Sequence, residues 1–189
     1  MIIPAIGRRI SMLIIPLERE NTVFVQQAAA LLADCFPHSY SDNSEEEIDK
    51  CLGLDRIAII AVEENQVIGF IGAIPQYGVT GWELHPLAVK RNKQFRGVGT
   101  ILVKALENEC KKRGCITIYL GTDDEFNKTT LSHTDLYIDT YGKIENIKNM
   151  NHHPYEFYQK VGYKIVGVIP DANGLGKPDI WMAKRIRAD

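Results

Sequence analysis

Cysteine is scarce in this sequence, and its spacing carries no metal-binding or redox pattern. The chain of 189 residues has four cysteines, Cys35, Cys51, Cys110 and Cys115. They form no C-x-x-C pair and show no ligand spacing with histidine, which argues against a zinc site. We therefore expect reduced, mostly buried thiols, no metal, and an intracellular protein whose core needs no disulfides.

Long hydrophobic runs and an excess of basic charge are also missing. There are 22 lysines and arginines against 24 acids, for a net charge of −2, which gives no basic surface for nucleic acid. No apolar run approaches the length of about 20 residues that spans a bilayer. Arg8-Arg9 before an apolar stretch faintly resembles a signal sequence, but Pro16 interrupts it. We predict a cytoplasmic protein with neither a membrane nor a nucleic-acid partner.

The common nucleotide-binding motifs are absent as well, but one glycine-containing stretch is informative. Residues 94–99 read Gln-Phe-Arg-Gly-Val-Gly and lack the third glycine of G-x-G-x-x-G, and no Walker motif occurs elsewhere. The free N–H groups at a helix start, approached through glycine, suit a phosphate. The stretch thus predicts a diphosphate cradle at the start of a helix over residues 98–112. The apolar face of that helix would be Val98, Ile101, Leu102, Ala105, Leu106 and Cys110.

The remaining pattern predicts a mixed α/β fold. A helix capped by Asn21 should end before Pro37, and Ser44 should begin a shorter one. Residues 136–147 are a weaker helix candidate, and Pro154 with Gly162 should bracket a last helix. Strands are predicted over residues 12–17, 56–63, 67–76, 82–89, 115–120, 163–169 and 179–185. The order of these elements makes an α/β sandwich, with residues 1–11 as an N-terminal extension and residues 12–189 as one domain. We also expect Met12 to be the natural initiator.

One predicted strand carries residues suited to acid-base chemistry. The strand period of two places Glu83, His85 and Leu87 on one face. Pro86 cannot donate a ladder hydrogen bond, so the strand should bulge or splay there and free backbone N–H groups, such as that of Leu87, for a ligand carbonyl. Glu83, directly or through water, and His85 are both candidate bases. Without the predicted diphosphate cradle nearby, Glu83 would be interpreted as a surface carboxylate and His85 as a partly buried histidine satisfied by hydrogen bonds.

Tyr158 is the candidate acid. It falls within the helix that Pro154 begins, where a tyrosine is more often part of the core. Its ordinary pKa near 10 would nevertheless keep it protonated at neutral pH, as a general acid must be.

The Gln-x-x-Gly-x-Gly stretch resembles the coenzyme A diphosphate loop of the GCN5-related N-acetyltransferases (GNAT). The string Asn151-x-x-Pro154-x-x-x-Tyr158-x-x-x-Gly162-Tyr163 resembles the same superfamily's helix motif. Residues 70–78, 81–87, 116–124, 153–168 and 177–184, with Asn173-Gly174, are similar to the aminoglycoside 6′-N-acetyltransferases. This likeness covers nearly everything after Met12.

The resemblance implies a homodimeric enzyme that transfers acetyl from acetyl-CoA to the 6′-amine of drugs such as kanamycin or tobramycin. It implies Glu83 and His85 as base candidates, Leu87 as the oxyanion donor and Tyr158 as the acid. Coenzyme contacts would be Leu87, Ala88, Val89, Gln94, Phe95, Arg96, Gly97, Val98, Gly99, Thr100, Asn151 and Tyr158.

Carboxylates beside such a site would suit a polycationic substrate. The candidate substrate contacts are Tyr77, Glu83, Asp123, Asp124, Glu125 and Asp139. The stretch Phe126-Asn127-Lys128 departs from the family, which tends to place another acid there. Two alternatives remain: an acetyltransferase acting on polyamines or protein amines, and a coenzyme A-binding sensor that has lost catalysis.

Overall fold

The computed structural model describes residues 12–187, so the predictions for residues 1–11 and for the initiator lie outside the described part. The predicted mixed α/β fold is confirmed. The strands are β1 Leu13–Pro16, β2 Ile57–Glu63, β3 Gln66–Tyr77, β4 Gly81–Val89, β5 Thr117–Asp123, β6 Lys164–Ile169 and β7 Asp179–Arg185. The helices are α1 Thr22–Cys35, α2 Pro37–Tyr40, α3 Ser44–Cys51, α4 Val98–Lys112, α5 Thr140–Glu145 and α6 Tyr155–Lys160.

The strands pair in the order β1-β2-β3-β4-β5-β7-β6, and β4 pairs with β5 in parallel. The chain divides into two compact units. The first holds the described residues up to Ile74 and His85–Glu109; the second holds Pro75–Leu84 and the described residues from Cys110 on. Strands β3 and β4 therefore each contribute residues to both units.

In the first unit, α1 and α3 pack together beside an antiparallel β1-β2-β3 ladder. Helix α1 begins where predicted, because the Asn21 side chain accepts a hydrogen bond from the Phe24 N–H, a cap that contributes about 1 kcal/mol. The β2-β3 hairpin turns at Glu64 and Asn65, both in the left-handed conformation. The core of this unit includes Leu32, Ile48, Ile60 and Phe70, all fully buried.

In the second unit, β7 lies between β5 and β6 in antiparallel ladders. The first residues of β4 pair in parallel with β5, from Gly81 opposite Thr117 to Glu83 opposite Tyr119. This ladder ends before Pro86. Helix α6 packs on β6 and β7, and Gly162 follows it with φ +98, the left-handed C-terminal glycine that the sequence predicts.

Three predicted segments differ from the structure. Strand β5 is displaced toward the C-terminus, because the N–H groups of Ile116 and Thr117 both donate to Thr80 and the ladder with β7 continues to Asp123. Only α5 is helical within residues 136–147, since Asp139 is left-handed (φ +51) and cannot lie within a right-handed helix. On α4, Ile101 is 40% exposed; the buried face instead includes Val103.

All four cysteines are free thiols, and three are buried, as predicted. Burial, with a smaller contribution from the Glu47 carboxylate, raises the pKa of Cys51 to about 12. A thiol with so high a pKa is a poor nucleophile at neutral pH. Cys51 is therefore a packing residue.

Strands β3 and β4 approach each other closely at Gly72. A Cβ built at this position would lie 2.5 Å from the backbone oxygen of His85, closer than real Cβ atoms come. The obstacle is backbone, so it cannot rotate away. Gly72 therefore sets the position of the β4 backbone at His85.

We expect Gly72→Ala to lower the free energy of unfolding by about 1–3 kcal/mol, the usual cost of overpacking. The matched control is Gly167→Ala on β6, whose added Cβ has no atom within 4 Å. Urea denaturation of both variants tests this. Equal midpoints for the two variants would show that the β3-β4 approach is not restrictive.

Candidate active site

The candidate catalytic residues of β4 alternate with core residues. Glu83, His85, Leu87 and Val89 are half-buried, whereas Trp82, Leu84, Pro86 and Ala88 between them are buried. The predicted period of two is therefore present from Trp82 to Val89. The His85-Pro86 peptide bond is cis. Because Ala88 is 2% exposed, its side chain belongs to the core, and any contact it makes with coenzyme would come from its backbone.

The predicted diphosphate cradle lies at the start of α4. The Gly97 carbonyl accepts the first intrahelical hydrogen bond, from Ile101 N–H, so the N–H groups of Val98, Gly99 and Thr100 belong to the first turn. Gly97 has φ +84 and a Cβ there would have no atom within 4 Å, so the approach to those groups is open. Gln94, Phe95 and Arg96 precede it as exposed residues, and the Gln94 side chain donates to the Val89 carbonyl.

His85 has two side-chain neighbours that sequence reasoning missed. Its Nε2 lies 3.0 Å from the Tyr40 hydroxyl and 3.4 Å from a Glu47 carboxylate oxygen. Tyr40 ends α2, a helix of four residues begun by Pro37, which is too short to show a periodicity. Glu47 is one of three acids in the first turn of α3, where negative charge is favourable whatever the side chain contacts. Neither pattern indicates which side chain turns toward β4.

Glu83 lies next to aromatic side chains in the second unit. Its carboxylate accepts a hydrogen bond of 2.8 Å from Gln76 Nε2. Tyr119 packs edge-on against Tyr77 and stacks on Trp181, with ring centroids 6.0 and 5.5 Å apart. Burial, and then the Glu83 charge and Tyr77, raise the pKa of Tyr119 to about 12. Tyr77 itself is 66% exposed, so an aromatic surface is available beside the candidate base.

Asp179 is a further carboxylate that the sequence did not single out. It lies directly opposite Asp123 in the β5-β7 ladder, and its Oδ2 accepts a hydrogen bond from Trp181. Burial and then the charge of Asp123, with a smaller contribution from Glu83, raise its pKa. Three acids thus influence one another in this unit. Only strand register reveals this, because Asp123 and Asp179 are far apart in sequence.

The structure changes the interpretation of Asp124. Its side chain is fully buried and accepts hydrogen bonds from four groups of its own loop: the N–H groups of Lys128 and Thr129 and the hydroxyls of Thr129 and Ser132. These bonds lower its pKa, against the effect of burial. Both oxygens of the carboxylate are occupied by hydrogen bonds within the loop. Asp124 therefore has a structural role in this loop, and we leave it out of the proposed substrate contacts.

The other predicted substrate contacts have different surroundings. Asp123 is exposed and accepts a hydrogen bond from Asn173, and Glu125 is half-buried. Asp139 is exposed at the start of α5. Of these three, Asp123 is the one whose charge raises the pKa of Asp179, as the charge of Glu83 also does.

Tyr158 lies on α6 and is 9% exposed, with its ring edge-on to Phe157 and Tyr163. Burial raises its pKa, so the phenol is protonated at neutral pH. Asn151, before the helix, is exposed, and its N–H donates to the Lys128 carbonyl.

His153 connects the start of α6 to the end of β5. Its Nε2 lies 3.2 Å from the Asp123 carbonyl, and its Nδ1 accepts from the Tyr155 N–H. Burial lowers its pKa, which together with these bonds identifies a neutral imidazole protonated on Nε2. His153 is thus a structural histidine.

Within residues 12–187, no group of three or more histidine, cysteine or acidic side chains could hold a metal ion. Over the same residues, none of the helices combines the length and apolar character of a membrane span.

The acetyltransferase (GNAT) family model matches residues 25–132, more than half of the chain. The chain belongs to this acetyltransferase family. Within it, the chain is similar to solved aminoglycoside 6′-N-acetyltransferases. One, complexed with coenzyme A, is 53% identical with a TM-score of 0.92; the match covers 94% of this chain and 98% of that one. A search among curated proteins returned no match.

Two further structures agree with this placement. The aminoglycoside 6′-N-acetyltransferase from Enterococcus faecium is 53% identical with a TM-score of 0.90, over 94% of this chain and 98% of its own. A type Ii aminoglycoside 6′-acetyltransferase is 46% identical with a TM-score of 0.76, over 94% and 99%. The sequence-based family assignment and fold are thereby confirmed.

Proposed function

We propose that this protein transfers the acetyl group of acetyl-CoA to the 6′-amino group of aminoglycoside antibiotics and so confers resistance to them. One observation carries the proposal: identity of 53% to an aminoglycoside 6′-N-acetyltransferase over nearly the full length of both chains. The acids near Tyr77 and Tyr119 support a polycationic acceptor.

The residues at the start of α4 fit the diphosphate of coenzyme A. Anions bind at helix N-termini because the first N–H groups have no intrahelical acceptor and the helix dipole favours negative charge. Gly97 leaves the approach open, and a side chain there would narrow it. Val98, Gly99 and Thr100 would donate their N–H groups, and the exposed Arg96 would add positive charge. The rest of the coenzyme would be contacted by Leu87, Ala88, Val89 and Asn151.

The candidate catalytic residues supply the proton transfers that amide formation requires. Acetyl-CoA, when bound, supplies the thioester whose carbonyl the amine attacks. Glu83 or His85 accepts a proton from the acceptor ammonium, directly or through water, which frees the nitrogen lone pair. The Leu87 N–H donates to the carbonyl oxygen as negative charge develops there. Tyr158 donates a proton to the departing sulfur and is restored by the second proton of the amine.

The acceptor would bind among the aromatic and acidic side chains of the second unit. Tyr77 is the exposed aromatic residue, and Glu83, Asp123 and Glu125 are the retained carboxylate candidates. Asp179 is added to this set because it lies directly opposite Asp123 in the β5-β7 ladder. Burial, and then the charges of Asp123 and Glu83, raise its pKa, and a cationic ligand would offset the repulsion among these acids. We keep Asp139 as a proposed contact for an amino group of the aminoglycoside other than the one that reacts.

We further propose that residues 12–189 form the acetyltransferase domain, that the enzyme is a homodimer, and that it is cytoplasmic. Strand β6 is last in the sheet order and exposes Val166 and Ile169, an apolar edge of the kind that pairs with a second chain. Four free thiols suit a reducing compartment.

An amine panel tests the function. With purified full-length protein and acetyl-CoA, we expect thiol release with kanamycin and tobramycin. We expect little with an aminoglycoside that carries a hydroxyl at 6′, because that hydroxyl cannot replace the reacting amine. Mass spectrometry of the product should show one added acetyl group at the 6′ nitrogen.

Two other results would redirect the proposal. Thiol release with spermidine or a basic peptide, and none with kanamycin, would contradict the drug substrate and identify a polyamine or protein acetyltransferase. Coenzyme A binding without turnover on any amine would identify a sensor.

A further inference from the structure

The His85 ring is held by two side chains from different helices. Tyr40 of α2 places its hydroxyl 3.0 Å from Nε2, and Glu47 of α3 places Oε1 3.4 Å from the same nitrogen. Tyr40 also packs edge-on against the imidazole, with ring centroids 6.4 Å apart. Both polar contacts that the structure gives the ring are therefore at Nε2. The His85 side chain remains 38% exposed, so part of the ring is accessible to a ligand.

The Glu47 carboxylate is itself fixed in place. Its side chain is only 12% exposed, and its second oxygen, Oε2, lies 3.9 Å from Lys50 Nζ. One oxygen thus faces a cation and the other faces His85. The Cys51 thiol lies 4.0 Å from the His85 backbone oxygen and belongs to the same surroundings. An ionised carboxylate can only accept hydrogen bonds.

This geometry decides where a neutral His85 carries its proton. A bare Nε2 would direct its lone pair at a carboxylate oxygen, and two electron pairs at that distance repel. A proton on Nε2 is donated to the Tyr40 oxygen and places the positive end of the N–H dipole near the Glu47 carboxylate. The Tyr40 hydroxyl can also donate to a bare Nε2, but the negative charge of Glu47, 3.4 Å from that nitrogen, disfavours the bare form. The position of the proton on one ring nitrogen is set by the bond that nitrogen makes, which leaves the other nitrogen bare.

We infer that Tyr40 and Glu47 are positioning residues that hold the His85 proton on Nε2 and leave Nδ1 as the nitrogen able to accept a proton. The catalytic consequence rests on the proposed function, whereas the tautomer does not. In acetyl transfer, Nδ1 would take a proton from the acceptor ammonium, and the resulting imidazolium would be stabilised by the Glu47 charge, as in carboxylate-histidine pairs of hydrolases.

The tautomer is measured by ¹⁵N NMR of the histidine ring nitrogens in the full chain at about pH 8.5, two units above the usual histidine pKa. The chain has five histidines, and a His85→Gln variant assigns the signals. We expect the Nε2-protonated form in the unmodified protein. Glu47→Gln removes the charge, and its amide can present an N–H toward Nε2, so the Nδ1-protonated form should increase. Tyr40→Phe, which removes only a hydroxyl, should have a smaller effect in the same direction.

The matched control is Glu46→Gln. Glu46 precedes Glu47 on α3 and loses the same charge, but its side chain is 67% exposed and pairs with Lys50 at 2.9 Å. It should leave the His85 signals unchanged. The inference is overturned if the unmodified protein shows the Nδ1-protonated form, or if Glu47→Gln and Glu46→Gln give the same spectrum. Tyr40→Phe keeps the test available should Glu47→Gln fail to fold.

Kinetics separate this inference from the proposed function. We expect Glu47→Gln to lower kcat for kanamycin about tenfold or more, with a smaller change in KM, because a misplaced base slows proton transfer. Glu46→Gln should retain kcat. A tautomer change without a change in kcat would support positioning by Glu47 and overturn the assignment of His85 as a base. Absence of turnover with every amine would overturn the proposed function, while the NMR result would still decide the tautomer.

Discussion

Glu83→Gln is expected to lower kcat/KM for kanamycin by about 10²-fold, the lower end of what a positioned acid or base contributes. The amide has nearly the same shape and can still accept the hydrogen bond that Gln76 donates to residue 83. What it loses is the negative charge, and with it both the proton acceptor and one attraction for the cationic drug. Steady-state thiol release measures this loss.

The control for Glu83→Gln is Glu64→Gln, an equal charge change in the exposed β2-β3 turn. It should leave kcat/KM unchanged. If Glu83→Gln raised KM and left kcat intact, Glu83 would anchor the substrate but take no part in proton transfer, and His85 would remain as the base. If neither constant changed, the assignment of Glu83 would be wrong.

The largest loss of stability is expected for Asp124→Asn, about 3 kcal/mol or more. Four donors converge on this buried carboxylate, and hydrogen bonds to a charged group contribute more than neutral ones. Oδ1 accepts from the Lys128 N–H and Oδ2 from the other three donors, so an asparagine, with one acceptor oxygen, would leave at least one donor without its acceptor and would place its NH₂ against that donor. Chemical denaturation measures the change, with exposed Asp55→Asn as the control.

The same variant should alter how stability depends on pH. The pKa of Asp124 is lowered in the folded protein, so the unfolded chain binds more protons in acid and stability rises with pH there. The contribution of Asp124 is complete above the unfolded pKa, which is the ordinary aspartate value of about 3.9, and is lost as pH falls through the lower folded pKa. Asp124→Asn should therefore flatten the acid limb of the stability curve. An unchanged acid limb would show that the carboxylate is not responsible.

The fold was largely predictable because its signals are local. Asn21 as a cap and Gly162 after a helix each depend on the backbone preferences of a few neighbouring residues. The errors in element bounds came where contacts with another segment, or the conformation of one residue, set the end of a strand or helix. The extent of β5 depends on its pairing with β7, and helix formation near Leu136 is stopped by the conformation of Asp139.

The alternation along β4 and the glycine at the start of α4 were determined by the sequence itself, because strand period and helix-start chemistry are written into adjacent residues. Only the tertiary structure decided the surroundings of these groups: Tyr40 and Glu47 at His85, Asp179 opposite Asp123, and Asp124 turned into its own loop. The physical reason is that burial and charge proximity depend on contacts between distant segments. A carboxylate in a run of acids therefore looks the same in sequence whether it meets solvent, a ligand or four buried donors.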